Sequence, residues 1–108
     1  MKDAATVFRA LSDGTRLRLL GLLGSREVCV CDLMSSLRLP QPTISRHLSY
    51  LKRAGLVADR RQGRWRYYSM KTSATRLGSV VKAAVAASVA ADPGLRAARR
   101  RVKARICR

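Results

Sequence analysis

Residues 39–70 constrain this chain most, because the hydrophobic period changes there once and at a fixed place. Leu39-Pro40-Gln41 reads as a turn, and Pro42 suits the first position of a helix, where a missing N–H costs little. Ile44, Leu48 and Leu51 then recur at helical spacing as far as Ala54, and Gly55 is a helix stop. From Leu56 the pattern is one of strands: 56–61, a Gln62-Gly63 turn, then 64–70, with Trp65, Tyr67 and Tyr68 as typical strand residues. A helix that ends in a hairpin needs other helices to cover its apolar face.

Those helices are visible on either side. Val7, Phe8 and Leu11 share one helical face. Ser12-Asp13 offers an N-cap for a second helix carrying Leu17, Leu20 and Leu23, which Gly24 and Ser25 close. Val28-Cys29-Val30 is a short extended stretch, and Asp32 can cap a third helix with Leu33 and Leu37. A last helix, about 74–91, places Leu77, Val81, Ala84, Val85 and Val89 on one side, and Asp92-Pro93-Gly94 ends it. The expected architecture is mainly α with a β-hairpin wing, a winged helix-turn-helix over residues 1–91. Residues 92–108 are expected to be a basic C-terminal tail, with seven basic residues and no acid from Leu95 onward.

The charge narrows the partner. The chain has 108 residues, one domain's worth, and 23 Lys and Arg against 6 Asp and Glu, a net charge of +17. With 47% hydrophobic residues it folds rather than stays solvated, so the excess points to a polyanion: DNA, RNA or an anionic membrane surface. No apolar run is long enough to span a bilayer, and the start has no signal-peptide core, so a cytoplasmic protein with reduced thiols is expected. His47 is the single histidine and the carboxylates are scattered, which leaves little from which to build an acid–base active site; an enzyme is not expected.

Double-stranded DNA fits the pattern best. The helix after the turn should enter the major groove. Removing its apolar face leaves Thr43, Ser45, Arg46, His47 and Tyr50, with Gln41 at its N-terminal end. Gln can bond adenine bidentately, Arg can do so to guanine, and Ser or Thr can reach phosphate or base. Arg60, Arg61, Arg64 and Arg66 surround Gly63 at the wing, placed for backbone or minor-groove contact. Between Arg38 and Lys71 stand nine basic residues and one acid, Asp59. Any one arginine could simply be solvated, but that does not account for charge gathered on the helix-turn-helix-hairpin segment. A general nucleic-acid-binding protein without sequence preference is the competing class.

The segments Leu11-Ser12-Asp13-Gly14-Thr15-Arg16-Leu17-Arg18-Leu19-Leu20, Cys29-Val30-Cys31-Asp32-Leu33, Ile44-Ser45-Arg46-His47-Leu48 and Ala54-Gly55-Leu56-Val57 resemble the ArsR/SmtB family of metal-responsive repressors, in the family's order. The resemblance covers about residues 3–91. It implies a homodimer on an inverted-repeat operator, joined through its first and last helices and released by an inducer. The stripe from Leu77 to Val89 suits that interface. The family usually has Pro where this chain has Gly14.

Cys29-Val30-Cys31-Asp32-Leu33 resembles the inducer site of the arsenic-responsive branch, which typically adds a third cysteine where this chain has Met34. Residues two apart on one helix point about 200° apart, whereas across a strand-to-helix junction they can face one ion. A helix start also favours the thiolate of Cys31, and soft thiolates select soft ions. The same two cysteines would serve equally as small buried hydrophobes. Through the resemblance, Cys29 and Cys31 are the expected ligands of trivalent arsenic or antimony, inorganic or organic, with no obligatory cofactor. Cys107 is a candidate third ligand from the tail, and Met34 reads as a core filler. Another soft metal or thiol oxidation is the alternative input. The family's zinc site on the last helix needs histidines and carboxylates, and here that helix has only Asp92 at its end.

Overall fold

The computed structural model describes residues 3–71 and 75–104. Its elements, in chain order, are α1 (Ala4–Leu11), α2 (Gly14–Leu23), β1 (Val28–Cys29), α3 (Val30–Leu37), α4 (Gln41–Arg53), β2 (Val57–Gln62), β3 (Trp65–Met70), α5 (Arg76–Ala90) and α6 (Pro93–Ala104). Helix starts follow the short acidic and hydroxyl residues. Asp3 accepts from the Thr6 amide, Asp13 from Arg16, Thr75 from Gly78 and Asp92 from Leu95, each satisfying an amide the helix cannot.

α2 lies at the centre. Leu19, Leu20, Leu22 and Leu23 are all fully buried, so the helix is covered around most of its circumference rather than on one stripe. α1, α4, α5, α6 and β3 all pack on it. Gly21 makes the closest approach possible: a Cβ there would stand 2.8 Å from both Leu95 Cδ2 and Val89 Cγ2.

α3 and α4 form the helix-turn-helix. Arg38 caps α3 in the left-handed region, at φ 56° and ψ 45°, and Pro40 precedes α4. Ile44, Leu48 and Leu51 are buried as their spacing requires. The wing is an antiparallel pair in register from Val57↔Met70 to Gln62↔Trp65. Gly63 at φ 62° is followed by Arg64 on the ordinary negative side, the pattern of a two-residue type II′ turn.

The structure differs from the sequence-based expectation in three places. First, β1 pairs with β3 (Val28↔Tyr68, Cys29↔Tyr67), so the wing is part of a three-stranded sheet of order β1-β3-β2. Second, α3 begins at Val30 instead of after Asp32. Asp32 sits in its first turn and Cys29 is the N-cap residue.

Third, the basic tail begins as a helix of the domain. Leu95, Ala98 and Val102 in α6 are 2%, 3% and 5% exposed, packed on α2, α3 and α5. Their i, i+3, i+7 spacing is a helical stripe. Arginines fasten the helix where carbonyls at helix C-termini lack partners: Arg101 Nη2 donates to Ser36 O (2.9 Å) and Arg96 Nη1 to Ala90 O (2.6 Å). The boundary at residue 91 therefore falls inside the packed unit. Residues 105–108, with Cys107, lie outside the described residues, as does residue 74, where the preceding helix was expected to begin.

Leu95→Ala should accordingly cost about 2–4 kcal/mol in urea unfolding. Arg100→Ala, exposed on the same helix, should stay within about 0.5 kcal/mol of the parent. Equal, small effects would show that α6 is not part of the core.

Candidate functional site

The N-terminal end of α4 and the wing bound one cavity of about 510 Å³. Gln41, Ser45 and Ser49 line it from α4, and Arg61, Arg64, Trp65 and Arg66 from the wing. Cys29, Cys31 and Met34 form a third wall. Gln41 Nε2 donates to Ser45 Oγ at 2.9 Å, one turn apart on the exposed face. Arg46 is exposed and Thr43 is half-buried. Arg64 sits at the hairpin tip, its guanidinium 5.6 Å from the Trp65 ring centroid.

Other expected contact residues have intramolecular engagements. His47 is turned back toward α2, with Nδ1 3.9 Å from Asp13 Oδ1 and a side chain only 20% exposed. Tyr50 lies under the guanidinium of Arg16 at 4.1 Å, with Arg53 at 5.9 Å. Arg16 also donates to Ala10 O (2.7 Å) and Arg9 O (3.2 Å), so one side chain joins the end of α1, the start of α2 and the middle of α4.

Arg60 makes a fork with Glu27 (2.6 and 2.8 Å) and donates to Gln62 Oε1 (2.8 Å). Its guanidinium crosses the ring of Tyr67 at 4.9 Å on the way. It thus reaches over the central strand to the residue preceding β1, and holds Glu27 below the usual carboxylate range. Asp59 is shared by Lys52 Nζ (2.7 Å) from α4 and Arg66 Nη1 (3.3 Å) from β3. The Lys52 hydrogen bond is the main cause of its lowered pKa. Asp13 is lowered chiefly by the Arg16 amide it caps.

The cysteines meet at the joint between β1 and α3. Cys29 is extended (φ −70°, ψ 143°) and Cys31 falls in the first turn of the helix, so the two side chains converge instead of diverging. Their Sγ atoms are in contact at 3.0 Å. Cys29 is buried and Cys31 half-buried. Among the described residues no third His, Cys, Asp or Glu joins them. Met34 is half-buried against the core. The donor set suits a soft ion and is too small for a closed tetrahedral zinc site.

The profile described as "Bacterial regulatory protein, arsR family" matches residues 13–59, from the α2 cap into β2. An HTH-type transcriptional regulator of Methanocaldococcus jannaschii is 48% identical over 68 residues, which is 62% of this chain and 76% of that protein. The chain belongs to the ArsR family.

Another relative in the family is the arsenical resistance operon repressor of Escherichia coli, 48% identical over 65 residues. That match covers 59% of this chain but only 56% of the repressor. Among solved structures, HlyU from Vibrio cholerae superposes with a TM-score of 0.70 at 30% identity, covering 82% of this chain and 89% of that one. These ArsR-family relatives are DNA-binding transcriptional regulators rather than enzymes, and the winged helix-turn-helix is the fold they share. No helix among the described residues is long and apolar enough to cross a membrane.

The Asp59 cluster makes a pH prediction. Its lowered pKa means that its contribution to stability is present above the ordinary Asp value near 4 and is lost as pH falls through the lower folded value. Asp59→Asn should be less stable at neutral pH, by about 1 kcal/mol. It should also lose less on acidification than the parent. Urea midpoints from neutral pH down through the carboxylate range check this, and parallel curves would contradict it.

Proposed function

We propose that this protein is an operator-binding repressor that leaves its operator DNA when trivalent arsenic or antimony bridges Cys29 and Cys31. The observation that carries the reading is the apposition of the two sulfurs inside the cavity bounded by α4 and the wing. The two side chains converge at one place, where a single soft ion could span them. The name of the Escherichia coli relative supports the choice of arsenic.

Coupling to DNA has two short routes. Cys31 belongs to α3, the first helix of the DNA-reading pair, so moving it tilts α4. Cys29 pairs with Tyr67 of β3, so moving it pulls the wing, to which Arg60 and Glu27 add a second tie. Couplings of this kind are typically ~1–3 kcal/mol, or 5–150-fold in affinity. Gln41, Thr43, Ser45 and Arg46 would read bases or phosphates, and Arg61, Arg64 and Arg66 would hold the backbone. Arg60 and His47 act instead by positioning the wing and α4.

A homodimer would use α1 and α5, but not through the expected stripe from Leu77 to Val89: Val81, Val85 and Val89 are buried in the protomer's own core, and α6 follows α5, which is therefore not the last helix. Phe8 is 51% exposed and Val80 49%, and α5 also exposes Ala83, Ala84 and Ala87. Such a dimer reads an inverted repeat with half-sites about one helical turn, 10–10.5 bp, or a multiple apart.

Two predictions follow from this reading. Arg64→Ala should weaken DNA binding across sequences and flatten the salt dependence by about 0.9 in log–log slope. Gln41→Ala or Arg46→Ala should instead relax base preference by ~1–3 kcal/mol. An unchanged ranking of operator variants in both would place the reading surface elsewhere.

In gel-shift titrations, Cys29→Ser and Cys31→Ser should each keep operator binding and lose release by arsenite, because serine offers a hard hydroxyl with little affinity for a soft ion. Cys107→Ser should weaken the arsenite response and spare a monosubstituted organoarsenical if the C-terminal thiol is a third ligand. Release by cadmium or peroxide but not by arsenite would transfer the same dithiol to another input. Normal arsenite release from the Cys29→Ser/Cys31→Ser double variant would refute the mechanism.

A further inference from the structure

A second cavity, of about 390 Å³, opens between α2, α5, α6 and the end of β3, away from the thiols. Its walls are largely apolar, including Gly21, Met70, Val85, Ala86 and Val89. Its polar lining includes three cations, Arg26, Arg99 and Lys82. Among the described residues none of them is in an ion pair. The acids Asp3, Asp13, Glu27, Asp59 and Asp92 are taken up in caps or in pairs with other cations.

The arginines are brought together by the fold. Arg26 Nη2 donates to Leu22 O and to Arg99 O, both at 3.3 Å, and its buried Nε has no acceptor. The Arg99 guanidinium packs against Gly24, where a Cβ would stand 3.0 Å from Nη2. Burial and the neighbouring Arg99 charge hold Arg26 below the ordinary guanidinium value. Like charges gathered beside an apolar cleft, with a donor unused, call for an anion with an apolar body.

We propose that this cleft is a ligand site for a small amphiphilic anion, its carboxylate or phosphate head at Arg26, Arg99 and Lys82 and its hydrocarbon chain against Val85, Ala86 and Val89. The volume lies within the range of small-molecule sites, roughly 300–1,000 Å³. The site stays open in the dimer proposed above. Lys82 and Val89 are each two residues beyond Val80 and Ala87, about 200° around α5, on the side away from the alanine face. It is also separate from the DNA-facing cavity, with which it shares no lining residue.

Calorimetric titration of the full chain, without DNA or arsenic, tests the site independently of the repressor reading. Octanoate and octyl phosphate are compared with octanol and inorganic phosphate. At least one octyl anion should bind with one-to-one stoichiometry per chain and at least tenfold tighter than both controls; the tighter of the two identifies the head group. Arg99→Ala should weaken it at least fivefold, and Ala86→Phe should do the same by filling the cleft. Far-ultraviolet circular dichroism confirms that each variant is folded. Octanol binding as tightly as the anions, inorganic phosphate doing so, or unchanged anion affinity in both folded variants would overturn the proposal.

Discussion

A helix buried around most of its circumference is the constraint on which this fold depends. Leu19, Leu20, Leu22 and Leu23 cannot all be covered by one neighbour, so α2 has to be surrounded. Covering it takes α1 on one side, α4 on another, and α5 with α6 around Gly21. At about 1.5–3 kcal/mol for each buried leucine side chain, those four residues act on nearly every contact surface of the domain at once. The positions of the reading helix and of the wing follow from how they lean on this rod.

The working surface is assembled from short, local ties rather than from a deep pocket. Two residue pairs join β1 to β3, one arginine fork joins Glu27 to the wing, and one aspartate joins the wing to α4. Each tie is modest, and exposed ion pairs contribute little to global stability. Together they fix relative orientation. A joint held by few contacts can be re-aimed by a ligand of moderate coupling energy without unfolding the core.

Much of this was legible in the residues. The change of period at Leu56, the Pro42 helix start and Gly63 define the reading helix and wing because each is a local signal. Asp13 as a cap is equally local. What escaped was non-local or masked by charge. The partner of Val28-Cys29 is forty residues away, and a two-residue strand has no periodicity of its own. The Leu95, Ala98, Val102 stripe is sparse and interrupted by arginines, so it has the look of a tail without its neighbours on α2. Arg60 and Arg61 are adjacent in sequence and equivalent in chemistry. Only strand alternation and the position of Glu27 distinguish the one that clasps from the one that faces the cavity. Cys29 and Cys31 can converge only across a strand-to-helix joint, and the extended Cys29 at the start of α3 meets that condition.

The way the acids are used has a consequence for how such a protein lives in a cell. With six carboxylates against 23 basic groups, and most of those carboxylates fixed at helix starts and clasps, the surface charge has almost no internal counterweight. On the repressor reading, bulk chromosomal DNA would then compete for the molecule through counterion release alone. An inducer acting on this chain would not send it into free solution. It would move it from one address to the many others, so on that reading the proposed thiol site would need to erode only the contrast between specific and non-specific binding.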